Sequence, residues 1–125
     1  MRGRTKRRRA YRRGRLSEHL AAWLLRLKGY HIEAVNWRCR QGEIDIIARR
    51  GGILVFAEVK SRKVMADAAA SLSPLQRRRI ANAAAVYLSR RQGGHEFATG
   101  GVRFDVILVA RGCRVQHIKD AWRAD

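Results

Sequence analysis

The chain has 125 residues, enough for one domain with one hydrophobic core, and 28 Lys and Arg residues against 10 Asp and Glu residues give it a formal net charge of +18. No apolar run approaches the roughly 18 residues of a membrane span, and Glu18 and Arg26 interrupt the stretch where a signal peptide would be apolar. We therefore expect no membrane-spanning segment. The positive charge favours a nucleic acid as the partner, with DNA as the first choice, and an anionic membrane surface is the lesser alternative.

Cysteine usage bears on the cellular compartment. Cys39 and Cys113 are far apart in the chain and belong to no CxxC or Cys/His metal pattern. A reduced, cytoplasmic protein is the simplest interpretation.

Residues 1–15 contain nine of the basic residues and no acidic residue. Such a segment cannot bury enough apolar surface to order itself, which predicts a flexible basic arm followed by a single domain over residues 16–125. The arm would either contact phosphates or serve only as a solubilising tail.

The first predicted helix covers residues 16–28 and ends at Gly29. Five large apolar residues at helical spacing predict its core face: Leu16, Leu20, Trp23, Leu24 and Leu27. Glu18 lies nearly opposite, on a second apolar face formed by Ala21, Ala22 and Leu25. From the residues alone, a solvated glutamate near a helix N-terminus is the favoured interpretation of Glu18.

Three strands are predicted next, over residues 31–38, 43–48 and 53–60, and the short turns between them indicate an antiparallel meander. The third strand is apolar on both faces, which is typical of an interior strand. Residues 61–73 are rich in Ala and Ser and predict a mobile loop.

Ser73 followed by Pro74 predicts the start of a second helix, which would continue to about Gln92 and stop at Gly93-Gly94. A fourth strand over residues 102–109 and a short fifth over residues 114–118, at a sheet edge, complete the chain. A helix between the third and fourth strands implies a parallel crossover. The predicted fold is therefore α/β, with a mixed five-stranded sheet flanked by helices in the order αβββαββ.

Charged residues in these apolar strands carry the functional prediction. Asp45 lies in the second strand, and Glu58 and Lys60 lie on one face of the third. Two carboxylates on neighbouring strands suit Mg²⁺ or Mn²⁺, which complete their shells with water and substrate phosphate. A lysine beside them can serve the attacking water and offset transition-state charge. These residues predict a hydrolytic site for nucleic acid. The alternative is that Glu58 and Lys60 are ordinary solvated residues at the point where the strand re-enters water.

The same residues resemble the PD-(D/E)xK nuclease superfamily, which has the restriction-endonuclease-like fold. More closely, the chain resembles the YraN family, small bacterial proteins predicted to be endonuclease-like and related to archaeal Holliday junction resolvases. The matching segments are Gly29-Tyr30, Asn36, Arg38, Gly42-Glu43-Ile44-Asp45-Ile46-Ile47, Val55-Phe56-Ala57-Glu58-Val59-Lys60 and Arg103-Phe104-Asp105-Val106. The resemblance implies that Asp45 and Glu58 bind the metal and that DNA repair or recombination is the setting.

The resemblance also gives Glu18 a role, because Gly14 and Glu18 match the family's first-helix pair and resolvase-like relatives use this glutamate beside the site. The chain departs from the family pattern at Met65-Ala66, where an aromatic-Gly pair is usual, and at Gln76, where many members have Lys. Gln76 either positions substrate or belongs to the helix cap. Resolvase relatives work as dimers, so a homodimer is possible, although the sequence shows no self-complementary patch.

Our leading hypothesis is a metal-dependent nuclease acting on structured or branched DNA. A non-catalytic nucleic-acid-binding module that kept the fold is the second, and a basic membrane-surface or ribosome-associated protein is the third. Six arginines are candidate phosphate contacts: Arg12, Arg13, Arg38, Arg62, Arg77 and Arg78. Asp105 is interpreted as a structural partner of Arg103, and Tyr11, Trp37 and Trp122 as packing residues rather than base-stacking ones.

Overall fold

The structure is a computed structural model that describes residues 16–61, 72–91, 101–110, 112 and 114–124. The predicted basic arm, residues 62–71 of the predicted loop and the predicted helix stop at Gly93-Gly94 lie outside the described residues. Three of the candidate phosphate contacts do so as well, namely Arg12, Arg13 and Arg62.

One mixed five-stranded sheet forms the centre of the molecule, in the spatial order β1-β2-β3-β4-β5. All neighbouring strands are antiparallel except β3 and β4, which run parallel because a helix connects them. The elements are α1 (residues 16–27), β1 (His31–Cys39), β2 (Gly42–Arg50), β3 (Ile53–Ser61), α2 (Pro74–Arg90), β4 (Gly101–Ala110) and β5 (Arg114–Trp122). The predicted fold class, element order and edge position of β5 are confirmed. β5 continues beyond its predicted end at Ile118.

The two helices cover opposite faces of the sheet. Strand β3 shows this most clearly, because its side chains alternate between two apolar clusters. Leu54 and Phe56 pack in the cluster that contains α2, whereas Val55 and Ala57 pack in the cluster that contains α1. The interior position predicted for this strand is therefore correct, and residues on β3 can be assigned to a face by their parity.

The predicted core face of α1 is wrong. Ala21, Ala22 and Leu25 are buried against the sheet. Three members of the predicted stripe face outward instead, with exposed fractions of 58% for Leu16, 61% for Trp23 and 81% for Leu27. Small side chains on the Ala21 face let the helix axis approach a sheet surface that is itself rich in alanine, which gives closer packing than a row of large side chains would.

Helix α2 begins with the capping arrangement that the sequence predicted. The Ser73 hydroxyl accepts a hydrogen bond from the Gln76 N–H at 3.2 Å, and the Gln76 side-chain oxygen accepts one from the Ser73 N–H at 3.0 Å. Pro74 occupies the first helical turn, where its missing N–H is not needed.

A buried carboxylate on β4 ties together β4, β5 and the end of α1. Asp105 accepts hydrogen bonds from Arg103 at 2.8 Å through both carboxylate oxygens, from His117 Nε2 at 2.6 Å and from the Asp120 N–H at 3.0 Å. The Lys28 ammonium donates to His117 Nδ1 at 2.6 Å, so Nε2 carries the imidazole proton. The predicted pairing of Asp105 with Arg103 is confirmed.

Burial alone would raise the pKa of Asp105. The hydrogen bonds from His117, Arg103 and the Asp120 N–H outweigh burial and hold that pKa below its ordinary value. The carboxylate is thus ionised at neutral pH and satisfied by several donors. We infer that it stabilises the folded chain.

We predict that Asp105→Asn lowers the free energy of unfolding at neutral pH by about 3 kcal/mol, because it leaves the partly buried Arg103 guanidinium without its anion and the His117 N–H with a weaker acceptor. Wild type and variant should converge as pH falls below the ordinary aspartate pKa and through the lower pKa of folded Asp105, because wild type then loses the same stabilisation. Urea unfolding at several pH values measures both effects. Asp120→Asn, on an exposed carboxylate 3.4 Å from Arg123, should cost less than about 1 kcal/mol. Equal costs for the two variants would contradict the prediction.

Candidate functional site

The candidate site lies where β2 and β3 stop pairing. The last residue pair in register at this end is Ile46 with Ala57. Beyond it the Val59 N–H donates to Asp45 Oδ2 at 2.8 Å, so a side-chain carboxylate replaces the partner strand's carbonyl. This bond fixes Asp45 beside Glu58, which precedes Val59 on β3.

Glu58 has an unusual environment for a glutamate. Burial, followed by the charge of Asp45 and a hydrogen bond with it, raises the pKa of Glu58 to about 9, and the Lys60 charge only partly opposes this. The two carboxyl groups are thus close enough to share a proton. Glu58 Oε2 is buried and has no hydrogen-bond donor among the described residues. At neutral pH this oxygen needs a proton or a cation.

Lys60 completes the arrangement from the same strand. It stands two residues after Glu58 and so shares its face of the sheet, the face that α2 covers. Lys60 Nζ is 4.0 Å from Glu58 Oε1, and the two side chains are 17% and 15% exposed. The structure therefore brings Asp45, Glu58 and Lys60 together.

A cavity of about 540 Å³ opens over Glu58. Arg38 and Arg79 line it with Gln76, so cations and an amide surround the carboxylate. Arg38 also pairs with the exposed Glu43 at 3.4 Å. Gly42 shapes this wall, because a Cβ there would lie 3.0 Å from the Arg79 carbonyl oxygen, and only glycine lets the β1–β2 turn approach α2 so closely.

The remaining predicted site residues are placed less directly. Gln76 lines the cavity and its side chain caps α2, so its place in the helix cap is confirmed and its substrate-positioning role stays a prediction. Glu18 is half-buried on α1, which covers the face opposite Glu58. Within residues 16–61 and the other described segments, no three His, Cys, Asp or Glu side chains form a metal-binding group. The structure thus does not gather Glu18 with Asp45 and Glu58 into one ligand set.

The candidate phosphate contacts that the structure describes differ in solvent exposure. Arg38 and Arg78 are exposed, whereas Arg77 is half-buried and its Nε has no hydrogen-bond partner in the described part of the chain. Two of the tryptophans pack as expected. Trp37 meets Tyr87 edge-on at 5.3 Å between ring centroids, and Trp122 stacks on Phe104 at 4.2 Å.

Sequence reasoning missed the ion pair that joins β1 to the end of α2. Arg91 donates to Glu33 at 2.6 and 2.9 Å, and the Tyr87 hydroxyl donates to the same carboxylate at 2.6 Å. Burial and then Glu33 raise the pKa of Tyr87 to about 12. The sequence around Glu33 gave no signal of this ion pair, because its partners lie 54 and 58 residues away. Arg79, which lines the cavity, was also missed.

Comparison with known proteins places the chain at the family level. Residues 17–109 match the model of an uncharacterised protein family, UPF0102. The chain belongs to the UPF0102 family. It is similar to UPF0102 proteins of Paramagnetospirillum magneticum (50% identical over 120 residues, 93% of this chain and 91% of the relative) and Bartonella quintana (38% over 120 residues, 96% of each). The UPF0102 protein of Sinorhizobium medicae is 42% identical over 113 residues, 90% of each chain.

The family match spans Asp45, Glu58 and Lys60, and the names of these UPF0102 relatives state no activity. In the described segments of this UPF0102 chain, neither helix has the length and apolar character needed to cross a bilayer.

The raised pKa of Glu58 predicts how the stability of the folded chain depends on pH. Folded Glu58 keeps its proton to about pH 9, while the unfolded chain loses it near pH 4.5, so the folded state loses stability as pH rises between these values. We predict that Glu58→Gln, which cannot ionise, is more stable than wild type by a few kcal/mol at pH 8 in EDTA, at about 1.4 kcal/mol per pKa unit. The two proteins should be equally stable near pH 4.

Chemical denaturation across pH 4 to 9 measures this difference. Glu43→Gln removes a carboxylate from the same cavity, but an exposed one paired with Arg38, and should follow the wild-type profile. Parallel profiles for wild type and Glu58→Gln would show that Glu58 does not hold a proton in the folded state.

Proposed function

We propose that this UPF0102 protein is a metal-dependent nuclease of the PD-(D/E)xK type, hydrolysing phosphodiester bonds in nucleic acid. The observation that carries the proposal is the carboxylate pair, Asp45 and Glu58, held beside Lys60 under a cavity lined by arginines. Two carboxylates held together in a half-buried position destabilise the folded chain unless a proton or a cation neutralises them. In a protein that only bound phosphates, a basic side chain in place of these carboxylates would bind more tightly, because carboxylates repel phosphate.

The donor set suits Mg²⁺ or Mn²⁺. It consists of carboxylate oxygens alone, and Mg²⁺ in proteins is bound by one or two carboxylates, with waters and substrate phosphate completing the shell. Glu58 Oε2 is the buried oxygen without a donor, and Asp45 uses Oδ2 for the Val59 N–H, which leaves Oδ1 available. Asp45 and Glu58 would therefore hold the ion. When bound, it would polarise the scissile phosphodiester and lower the pKa of the attacking water.

The chain's own groups supply the rest of the chemistry. Lys60, 4.0 Å from Glu58, would donate a hydrogen bond to the attacking water or to a phosphate oxygen, and its charge would offset the negative charge that develops. The Val59 N–H keeps the Asp45 carboxylate in one orientation, so the ligand is ordered before substrate arrives. Gln76 and Arg79 would contact substrate from the wall of the cavity.

Affinity would come from charge. The net charge of +18 and the exposed Arg38 and Arg78 favour a polyanionic partner, and we propose that this partner is DNA. The resemblance to resolvases is the basis for proposing a branched substrate and a homodimer that cuts it twice. Glu18, on α1, enters the proposal through the resemblance alone.

A non-catalytic binding module is the second candidate. It is favoured by the described residues' lack of a three-ligand metal group. Such a module would bind nucleic acid with no dependence on Glu58 or Lys60, which separates it from the nuclease.

We predict Mg²⁺- or Mn²⁺-dependent cleavage of at least one member of a panel of duplex, single strand, flap, four-way junction and RNA. Glu58→Gln and Lys60→Met should each reduce the cleavage rate by at least about a hundredfold, the scale on which loss of an acid–base or charge-stabilising group acts. Glu43→Gln, an exposed acid lining the same cavity, should cleave like wild type.

Gel analysis of end-labelled substrates provides the readout, and binding by each variant confirms that it is folded. Cleavage by none of the metal-loaded proteins, with binding intact, would favour the second candidate. Cleavage that survives both Glu58→Gln and Lys60→Met would mean that the activity belongs to another site or a contaminant.

We also predict that metal binding requires the carboxylate pair. Calorimetric titration of Mn²⁺ should show one site in wild type, lost or weakened at least tenfold in Asp45→Asn, whose side-chain oxygen can still accept from the Val59 N–H. Wild-type binding should release protons below pH 9, because Glu58 must give up its own. Identical isotherms for wild type and Asp45→Asn would refute the ligand assignment.

A further inference from the structure

A second basic cavity lies at the opposite end of the sheet, on the face that α1 covers. It has a volume of about 360 Å³ and is lined by Tyr30, Arg50, Gly51, Ile53, Arg103 and Lys119. Ile53 begins β3, and Glu58 stands five residues further along, which separates the two levels by about 17 Å at roughly 3.3 Å per residue. The carboxylate pair therefore does not share this cavity.

Arg103 is held rigidly at its wall. Nε and Nη2 donate to the two oxygens of Asp105, and Nη2 also donates to the Tyr30 hydroxyl at 2.7 Å. The Nη1 group has no hydrogen-bond partner among the described residues and is not among their buried unsatisfied atoms. A guanidinium fixed on one edge loses little side-chain entropy when its remaining N–H groups bind a ligand.

Two further cations face the same space. The Arg50 guanidinium lies 5.6 Å from the centre of the Tyr30 ring, and both Arg50 and Lys119 are exposed. Neither forms an ion pair within the described chain. Among the described residues, the carboxylates on the neighbouring strands are Asp105, which is buried and already accepts bonds from Arg103 and His117, and Asp120, which faces Arg123.

We propose that this second basic cavity binds a phosphate group. Three cations line an open volume, and among the described residues its one side-chain acceptor, the Tyr30 hydroxyl, already accepts from Arg103. A tetrahedral dianion or diester can accept from several of these cations at once, whereas a single carboxylate would satisfy one arginine fork. The mouth is open at Gly51, where a Cβ would meet nothing within 4 Å.

The phosphate can belong to a polynucleotide backbone or to a free phosphate ester. In the first case the nucleic acid would contact the protein at two separated places, on both faces of the sheet. The inference goes beyond the proposed nuclease activity, since it requires neither the metal nor the carboxylate pair.

The test uses the full chain in EDTA, so that its outcome is independent of cleavage. Arg50→Ala/Lys119→Ala removes two cations from the cavity, and Arg26→Ala/Arg114→Ala removes two exposed cations elsewhere, giving equal net charge. Binding of a labelled single-stranded oligonucleotide is measured by anisotropy at several salt concentrations. Inorganic phosphate and a nucleoside monophosphate are titrated while the Arg103 Nε–H resonance is followed by NMR.

We expect the cavity variant to bind the oligonucleotide about tenfold more weakly than the control variant. Its salt slope should also fall by roughly 0.7 for the lost phosphate contact, and the Arg103 response to phosphate should disappear. A loss confined to the two small ligands would identify a free phosphate ester as the ligand. Equal behaviour of both variants in every arm would overturn the proposal, as would wild-type binding to polyglutamate as tight as to an oligonucleotide of equal charge.

Discussion

The hydrogen bond from the Val59 N–H to Asp45 is the constraint on which the candidate site depends. In a continuous antiparallel ladder that N–H would point to a carbonyl of β2, and the side chains of Asp45 and Glu58 would be spaced like any cross-strand pair. Because a carboxylate takes the bond instead, the strands separate beyond Ile46 and Ala57. The opening admits Glu58 to a buried position beside a second acid, and the start of α2 closes the cavity above it.

Two carboxylates in the same sheet have pKa values shifted in opposite directions, and their surroundings explain why. Asp105 is buried among donors, so its pKa lies below the ordinary value and it stabilises the fold as an anion. Glu58 is buried beside another acid with one oxygen lacking a donor, so its pKa rises to about 9. Pairs of acids whose environments push their pKa values apart distinguish structural from functional roles. Asp105 belongs to the first kind, and Glu58 has the character of the second.

Local patterns in the sequence predicted most of the fold. Apolar runs separated by short turns located the strands, and Ser73-Pro74 located the start of α2. The buried face of α1 was not predictable in this way, because both of its faces are apolar and sheet packing selected the smaller one. Long-range pairs were also invisible. Lys28 and His117 are 89 residues apart, and no local pattern links them.

The same distinction applies to the candidate site. Asp45, Glu58 and Lys60 stood out because charge in an apolar strand is costly and must be compensated. An exposed arginine carries no such signal, since solvation of its charge costs nothing. Arg79 at the first cavity and Arg50 at the second therefore gained meaning only when the fold placed them around a concave surface. In a chain of net charge +18, the number of cations argues for a polyanionic partner, but only their placement distinguishes a binding site from the general field.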